Sequence, residues 1–193
     1  HKGWGMSKHS GRKDIVDALV ENKIDLYICA HDYHYQRTYP FVFGGKRDTE
    51  KGVTQVIAAG RSSHYIRPWT TESADWLAFH YFGNNIRLFK ATKKRMSLQM
   101  IGLGTGKNED IAGREIDLWV KYKDMQDVKG LIENLKSKDV KMQISTIHEL
   151  GGLQMPSTVN PLVKLYSESK EQSVKDEILV ALARIGSPKT LPI

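Results

Sequence analysis

The chain has 193 residues, 40% of them hydrophobic, with a formal net charge of +7, enough for a buried core in one domain or two small ones. No stretch approaches the roughly 18 consecutive apolar residues that a membrane-spanning helix needs, so no segment is expected to cross a bilayer. Cys29 is the single cysteine, which excludes an internal disulfide.

Residues 12–22, R-K-D-I-V-D-A-L-V-E-N, set Ile15, Val16, Leu19 and Val20 on one helical face, and Asn22 is a stop signal. An apolar run at Ile24–Cys29 predicts a strand. It is followed at once by A-H-D-Y-H-Y-Q-R-T-Y-P, Ala30 to Pro40. G-G-K-R-D-T-E-K-G is expected to turn, V-T-Q-V-I-A-A to form a buried strand, and residues 60–74 to be a polar loop. W-L-A-F-H-Y-F, I-R-L-F-K-A and M-S-L-Q-M-I-G-L read as further strands, the first two joined by a G-N-N turn. One helix followed by several strands predicts a mixed α+β layer structure.

From Met125 the pattern becomes helical. Val128, Leu131, Ile132 and Leu135 make one apolar stripe, and Val159, Leu162, Val163 and Tyr166 repeat it 31 residues later. V-K-M-Q-I-S-T-I-H-E-L-G-G at 140–152 aligns with V-K-D-E-I-L-V-A-L-A-R-I-G at 174–186. Such helix pairs resemble HEAT-type repeats over residues 125–193, although two copies also suit an ordinary helical bundle. Because stacked repeats need neighbours to cover their outer faces, the natural polypeptide is expected to continue past T-L-P-I.

Lysine and arginine crowd K-A-T-K-K-R at 90–95 and the region beyond 120. A polyanion could be drawn to them. No aromatic residue interleaves with the cluster, so solvated helix faces and a solvated hairpin are the preferred reading over nucleic-acid binding. The histidines are distributed more tellingly. His1, His9, His31, His34 and His64 fall in the first third, leaving only His80 and His148 beyond. Imidazoles gathered in this way suit a metal site.

H-K-G-W-G-M-S-K-H-S-G, a helix, I-D-L-Y-I-C-A-H-D-Y-H-Y-Q-R-T-Y-P and G-V-T-Q-V-I-A-A-G together resemble the carboxyl half of a calcineurin-like metallophosphoesterase of the purple acid phosphatase type. The resemblance implies an αββα sandwich of which residues 1–122 form the carboxyl-terminal part, followed by an all-α HEAT-like solenoid segment at 123–193. It also implies hydrolysis of phosphate esters at a site holding two divalent or trivalent metal ions (Fe, Zn or Mn). Two ions about 3.5–4 Å apart can generate hydroxide and stabilise both the attacking and the leaving oxygen.

By the same resemblance, His1 matches an isolated metal ligand, and His31 the first histidine of the family's G-H-x-H motif. His9 matches the catalytic histidine that contacts phosphate or protonates the leaving group. Here that motif reads A-H-D-Y, so Tyr33 stands where a second histidine would bind the other metal. His34 is the possible substitute, though in an extended segment it points away from Tyr33. Tyr35 and Arg37 match the family's Y-x-R continuation and imply packing and loop-orienting support. The bridging aspartates and the asparagine–histidine pair of the family's amino-terminal half have no counterpart here. Another half domain is therefore expected before His1. The alternative is a degenerate phosphatase fold that binds or scaffolds a protein partner with its helical repeats.

Overall fold

The computed structural model describes residues 13–30, 34–58, 76–81, 83–104 and 111–186. It is mixed α and β, and the chain divides into two compact units, residues 1–86 with 101–116 and residues 87–100 with 117–193.

Among the described residues, the first unit begins with α1 (Lys13–Glu21), which buries Val16 fully and packs Leu19 and Val20 with Phe41 and Tyr27. Ile15, expected on the same apolar face, is 36% exposed. The helix stops because Lys23 adopts a left-handed conformation (φ 53°), letting the Ile24 amide reach the Leu19 carbonyl at 2.9 Å and the Lys23 amide reach that of Val20 at 3.0 Å. These paired bonds satisfy carbonyls that the helix end leaves open. They also recruit Ile24 into the helix stop, so the strand expected from Ile24 starts later, as β1 (Leu26–Cys29).

Three further strands complete a sheet around it: β2 (Tyr35–Thr38), β5 (Thr54–Ala58) and β6 (Leu77–Tyr81), in the order β1-β5-β2-β6. β1 and β5 run parallel, whereas β2 is antiparallel to both of its neighbours. A small hairpin, β3 (Phe41–Val42) and β4 (Lys46–Arg47), lies between β2 and β5 in sequence. The segment expected only to turn therefore also contributes strand β4. Its turn uses Gly44 and Gly45 at φ 87° and 76°, values that cost a side-chain-bearing residue steric strain.

The second unit takes in most of a three-stranded sheet, β7 (Asn85–Ala91), β8 (Arg95–Gly102) and β9 (Glu115–Tyr122), in that order. Helices α2 (Met125–Asn134), α3 (Val140–Leu153), α4 (Val159–Glu168) and α5 (Gln172–Ile185) follow, with a 3-10 turn at Pro156–Thr158. Asp124 and Asp139 start α2 and α3 by accepting amide hydrogen bonds, and left-handed Gln154 and Gly186 end α3 and α5.

One apolar core joins these helices to β9. Leu118 and Val120 pack with Val128, Leu150, Leu162 and Ile178, each burial contributing on the order of 1.5–3 kcal/mol before entropy is counted. Of the two repeating stripes, Val128, Leu135 and Leu162 are buried, and Leu131, Ile132, Val159 and Tyr166 pack against them. Val163 departs from its expected place and is 43% exposed. No helix among the described residues is long and apolar enough to cross a membrane.

Candidate site at the carboxyl end of the first strand

β1 is held in parallel register by β5, with Leu26 opposite Thr54 and Cys29 opposite Ile57. Its carboxyl end leads directly into the segment that begins at Ala30. Loops in this position leave a sheet free of ladder hydrogen bonds and are where open α/β sheets usually carry chemistry. His1, His9, His31 and Tyr33 lie outside the described residues. His34, Tyr35 and Arg37 are described.

Backbone alternation divides β2 between two faces. His34, Gln36 and Thr38 take one, and Tyr35 and Arg37 the other. On the first face the His34 Nε2 lies 3.2 Å from the Gln36 Oε1, which fixes that nitrogen as the donor when the oxygen faces it. Gln36 is opposite His80 in the β2–β6 register and is 2% exposed. The buried Gln55 amide continues the polar seam: its backbone N–H donates to Thr38 Oγ1 at 2.9 Å, and its Nε2 to the Cys29 Sγ at 3.2 Å. The Cys29 thiol in turn faces the Val56 carbonyl at 3.6 Å.

The other face is closed. Tyr35 and Arg37 are each 1% exposed, and the Tyr35 ring meets Phe79 at a centroid distance of 6.2 Å and an interplanar angle of 58°, a tilted packing suited to aromatic quadrupoles. Just beyond β2, the Arg47 guanidinium stands 3.9 Å from the Tyr39 ring centroid. Burial pushes the Arg47 pKa down, and Tyr39 opposes the shift. The guanidinium stays charged, since its ordinary value is so high.

Among the described residues, no group of three or more histidine, cysteine, aspartate or glutamate side chains is arranged to hold a metal ion. They bring His34 together with Gln36, and set His80 across from Gln36. Gln36, Gln55 and His80 carry no motif in the sequence. The period-two spacing of His34, Gln36 and Thr38 is the signal from which their shared face follows.

A second polar cluster ties β8 and β9 to α3. Glu149 Oε1 receives the Tyr122 hydroxyl at 2.8 Å and a close Arg95 Nε, while Arg95 Nη1 donates to Ser97 Oγ at 3.0 Å. Burial first, then the hydrogen bond and negative charge of Glu149, push the Tyr122 pKa up to about 12. One residue before Glu149 on α3, His148 Nδ1 meets Glu177 at 2.9 Å and Arg184 at 3.4 Å, linking α3 to α5.

Residues 128–193 match the family described as HEAT repeats. No curated protein matches the chain. Among solved structures, a purple acid phosphatase isolated from yellow lupin (Lupinus luteus) seeds is weakly similar, at 18% identity and a TM-score of 0.46. That alignment covers 63% of this chain and 22% of the solved chain, so the likeness spans about a fifth of the lupin enzyme.

Proposed function

We propose that this chain contributes part of a metal-dependent phosphoesterase, which hydrolyses phosphate esters with two ions of the Fe, Zn or Mn class. One observation carries the reading: β1 ends at Cys29, in parallel pairing with β5, immediately before the A-H-D-Y-H-Y-Q-R stretch. A strand end of this kind delivers consecutive side chains to one rim of a sheet, where imidazoles can converge on a metal.

In this reading His1 and His31 hold one ion, and His9 contacts the phosphate or protonates the leaving oxygen. Tyr33 or His34 serves the other ion, and Tyr35 and Arg37 keep the strand beneath the loop in place. Residues 1–122 are then the carboxyl part of an αββα phosphoesterase domain, and residues 123–193 a HEAT-like segment for a protein partner. The ions supply Lewis acidity and a hydroxide nucleophile when bound. Remaining ligands come from elsewhere in the natural polypeptide.

The test is elemental analysis and hydrolysis of an aryl phosphate by the natural full-length protein, with His31→Ala beside it. We expect metal in the parent, and in the variant a loss of turnover exceeding the roughly 10–100-fold typical of a supporting residue. A parent protein without bound metal and without ester turnover would overturn the proposal. That outcome favours the second reading, a degenerate phosphatase fold acting as a binding module, which Tyr33 in the place of a histidine and the HEAT match over 128–193 motivate.

A further inference from the structure

Among the described residues, strand β7 lies on the outside of its sheet, with β8 as its neighbour on one side. Outer strands present backbone donors and acceptors along one edge, and proteins usually keep such edges short or cover their apolar side chains. β7 has seven residues. Leu88 and Phe89, which alternate between its two faces, are 42% and 50% exposed. β9, the opposite outer strand, differs in burying Asp117–Val120.

Charge indicates what could cover this edge. From Asn85 to Arg95 the sequence is N-I-R-L-F-K-A-T-K-K-R, with five basic residues and no acidic one. Lys94 is paired with Asp127, and Arg95 with Glu149. Lys90 and Lys93 enter no ion pair among the described residues. A second copy of the strand is a poor occupant. A mate brings its own basic residues to an edge that already carries five and supplies no carboxylate, and parallel in-register pairing stacks each basic residue on its own counterpart. Like charges directly opposite destabilise a ladder.

We infer that β7 is a docking edge for an extended acidic segment of another polypeptide, which adds as a fourth strand. Main-chain hydrogen bonds to β7 supply the attraction, apolar side chains on alternate positions of the added strand cover Phe89, and its carboxylates, on the opposite face with Leu88, meet Lys90 and the Lys93 of the turn that follows. None of its residues belongs to the proposed metal site, so loss of metal binding and loss of peptide binding are distinguishable outcomes.

The probe is a short fluorescent peptide alternating glutamate and valine, titrated against the natural full-length protein and read by anisotropy. Amide chemical shifts of Arg87–Ala91 are followed in parallel. We expect saturable binding with the largest shifts on β7. Methylating alternate peptide amides on one edge, which removes strand pairing and keeps the charge, should weaken binding at least about tenfold. Lys90→Glu with Lys93→Glu should weaken it similarly while circular dichroism stays unchanged, since both side chains are exposed. Equal affinity of the methylated and unmethylated peptides would overturn the inference in favour of unspecific charge attraction. Shifts confined to other elements, no binding at low salt, or tighter binding of duplex DNA than of the peptide would overturn it too.

Discussion

Gly151 of α3 faces Ala181 of α5 so closely that a β-carbon at position 151 would stand 2.8 Å from the Ala181 α-carbon and 2.9 Å from its β-carbon. The obstructing atoms belong to a buried helix, so relief requires the two helices to move apart. Gly151→Ala is therefore expected to destabilise the protein by about 1–3 kcal/mol, the usual range for overpacking, despite the better helix propensity of alanine. Gly130 of α2 supplies the control, because a β-carbon there meets nothing within 4 Å. Gly130→Ala should stabilise by up to about 1 kcal/mol. Urea midpoints of the two variants moving in the same direction would contradict this account of α3 against α5.

Tyr122 gives a pH prediction with a definite sign. Its ordinary value of 10.0 is raised to about 12 in the folded protein by burial and by Glu149. Above the lower value the unfolded chain releases this proton while the folded chain retains it, so folding stability falls as pH rises from 10.0 toward about 12. Below that window the stabilisation is fully present. Tyr122→Phe should flatten the decline across the same interval, measured as the difference between parent and variant denaturation midpoints. An identical decline in the two proteins would remove Tyr122 as its source.

Asp139 caps α3 by accepting from the Lys141 amide at 2.9 Å and the Met142 amide at 3.4 Å. The corresponding residue of α5, Glu171, makes no side-chain cap. Asp139→Ala should cost about 0.5–2 kcal/mol, whereas Glu171→Ala should have much less effect. Thermal unfolding followed by circular dichroism distinguishes the two. Comparable losses at both positions would mean that the Asp139 bonds contribute little beyond local charge.

Tyr33→His tests the proposed metal position. In the full-length protein, an imidazole here is expected to preserve or raise metal content and ester turnover, because it supplies a neutral nitrogen donor. Should Tyr33 bind ferric iron as phenolate, the same change shifts the visible absorption and leaves two ions bound. Unchanged metal content together with an unchanged spectrum would make Tyr33 a bystander.

Clear periodicity and turn chemistry made much of the fold legible. The spacing of Val16, Leu19 and Val20 reports α1, and the buried run around Val56 reports β5. The helices after Met125 follow from their apolar stripes, and residues 128–193 match HEAT repeats. β2 is harder to read. It lies between two strands yet buries Gln36, Arg37 and Thr38, and polar residues of this kind give no hydrophobic alternation. Their burial depends on partners such as Thr38 Oγ1 with the Gln55 amide, which only the folded register brings together. β9 is obscured differently, since Leu118, Trp119 and Val120 are apolar in succession and both faces are covered. At the candidate site, the residue types were legible at His34, but its approach to Gln36 depends on the start of β2.

The chain passes from the first compact unit to the second at residues 86–87, returns at 100–101 and leaves again at 116–117. A protease or a gene fusion that divides the polypeptide just before α2 thus separates four helices from Leu118 and Val120, which belong to their core. The severed helices would carry an uncovered oily seam, and the strands left behind would carry its imprint. Loss or transfer of the helices between genes, without β9 travelling with them, would consequently yield two sticky fragments in place of one exchangeable cassette.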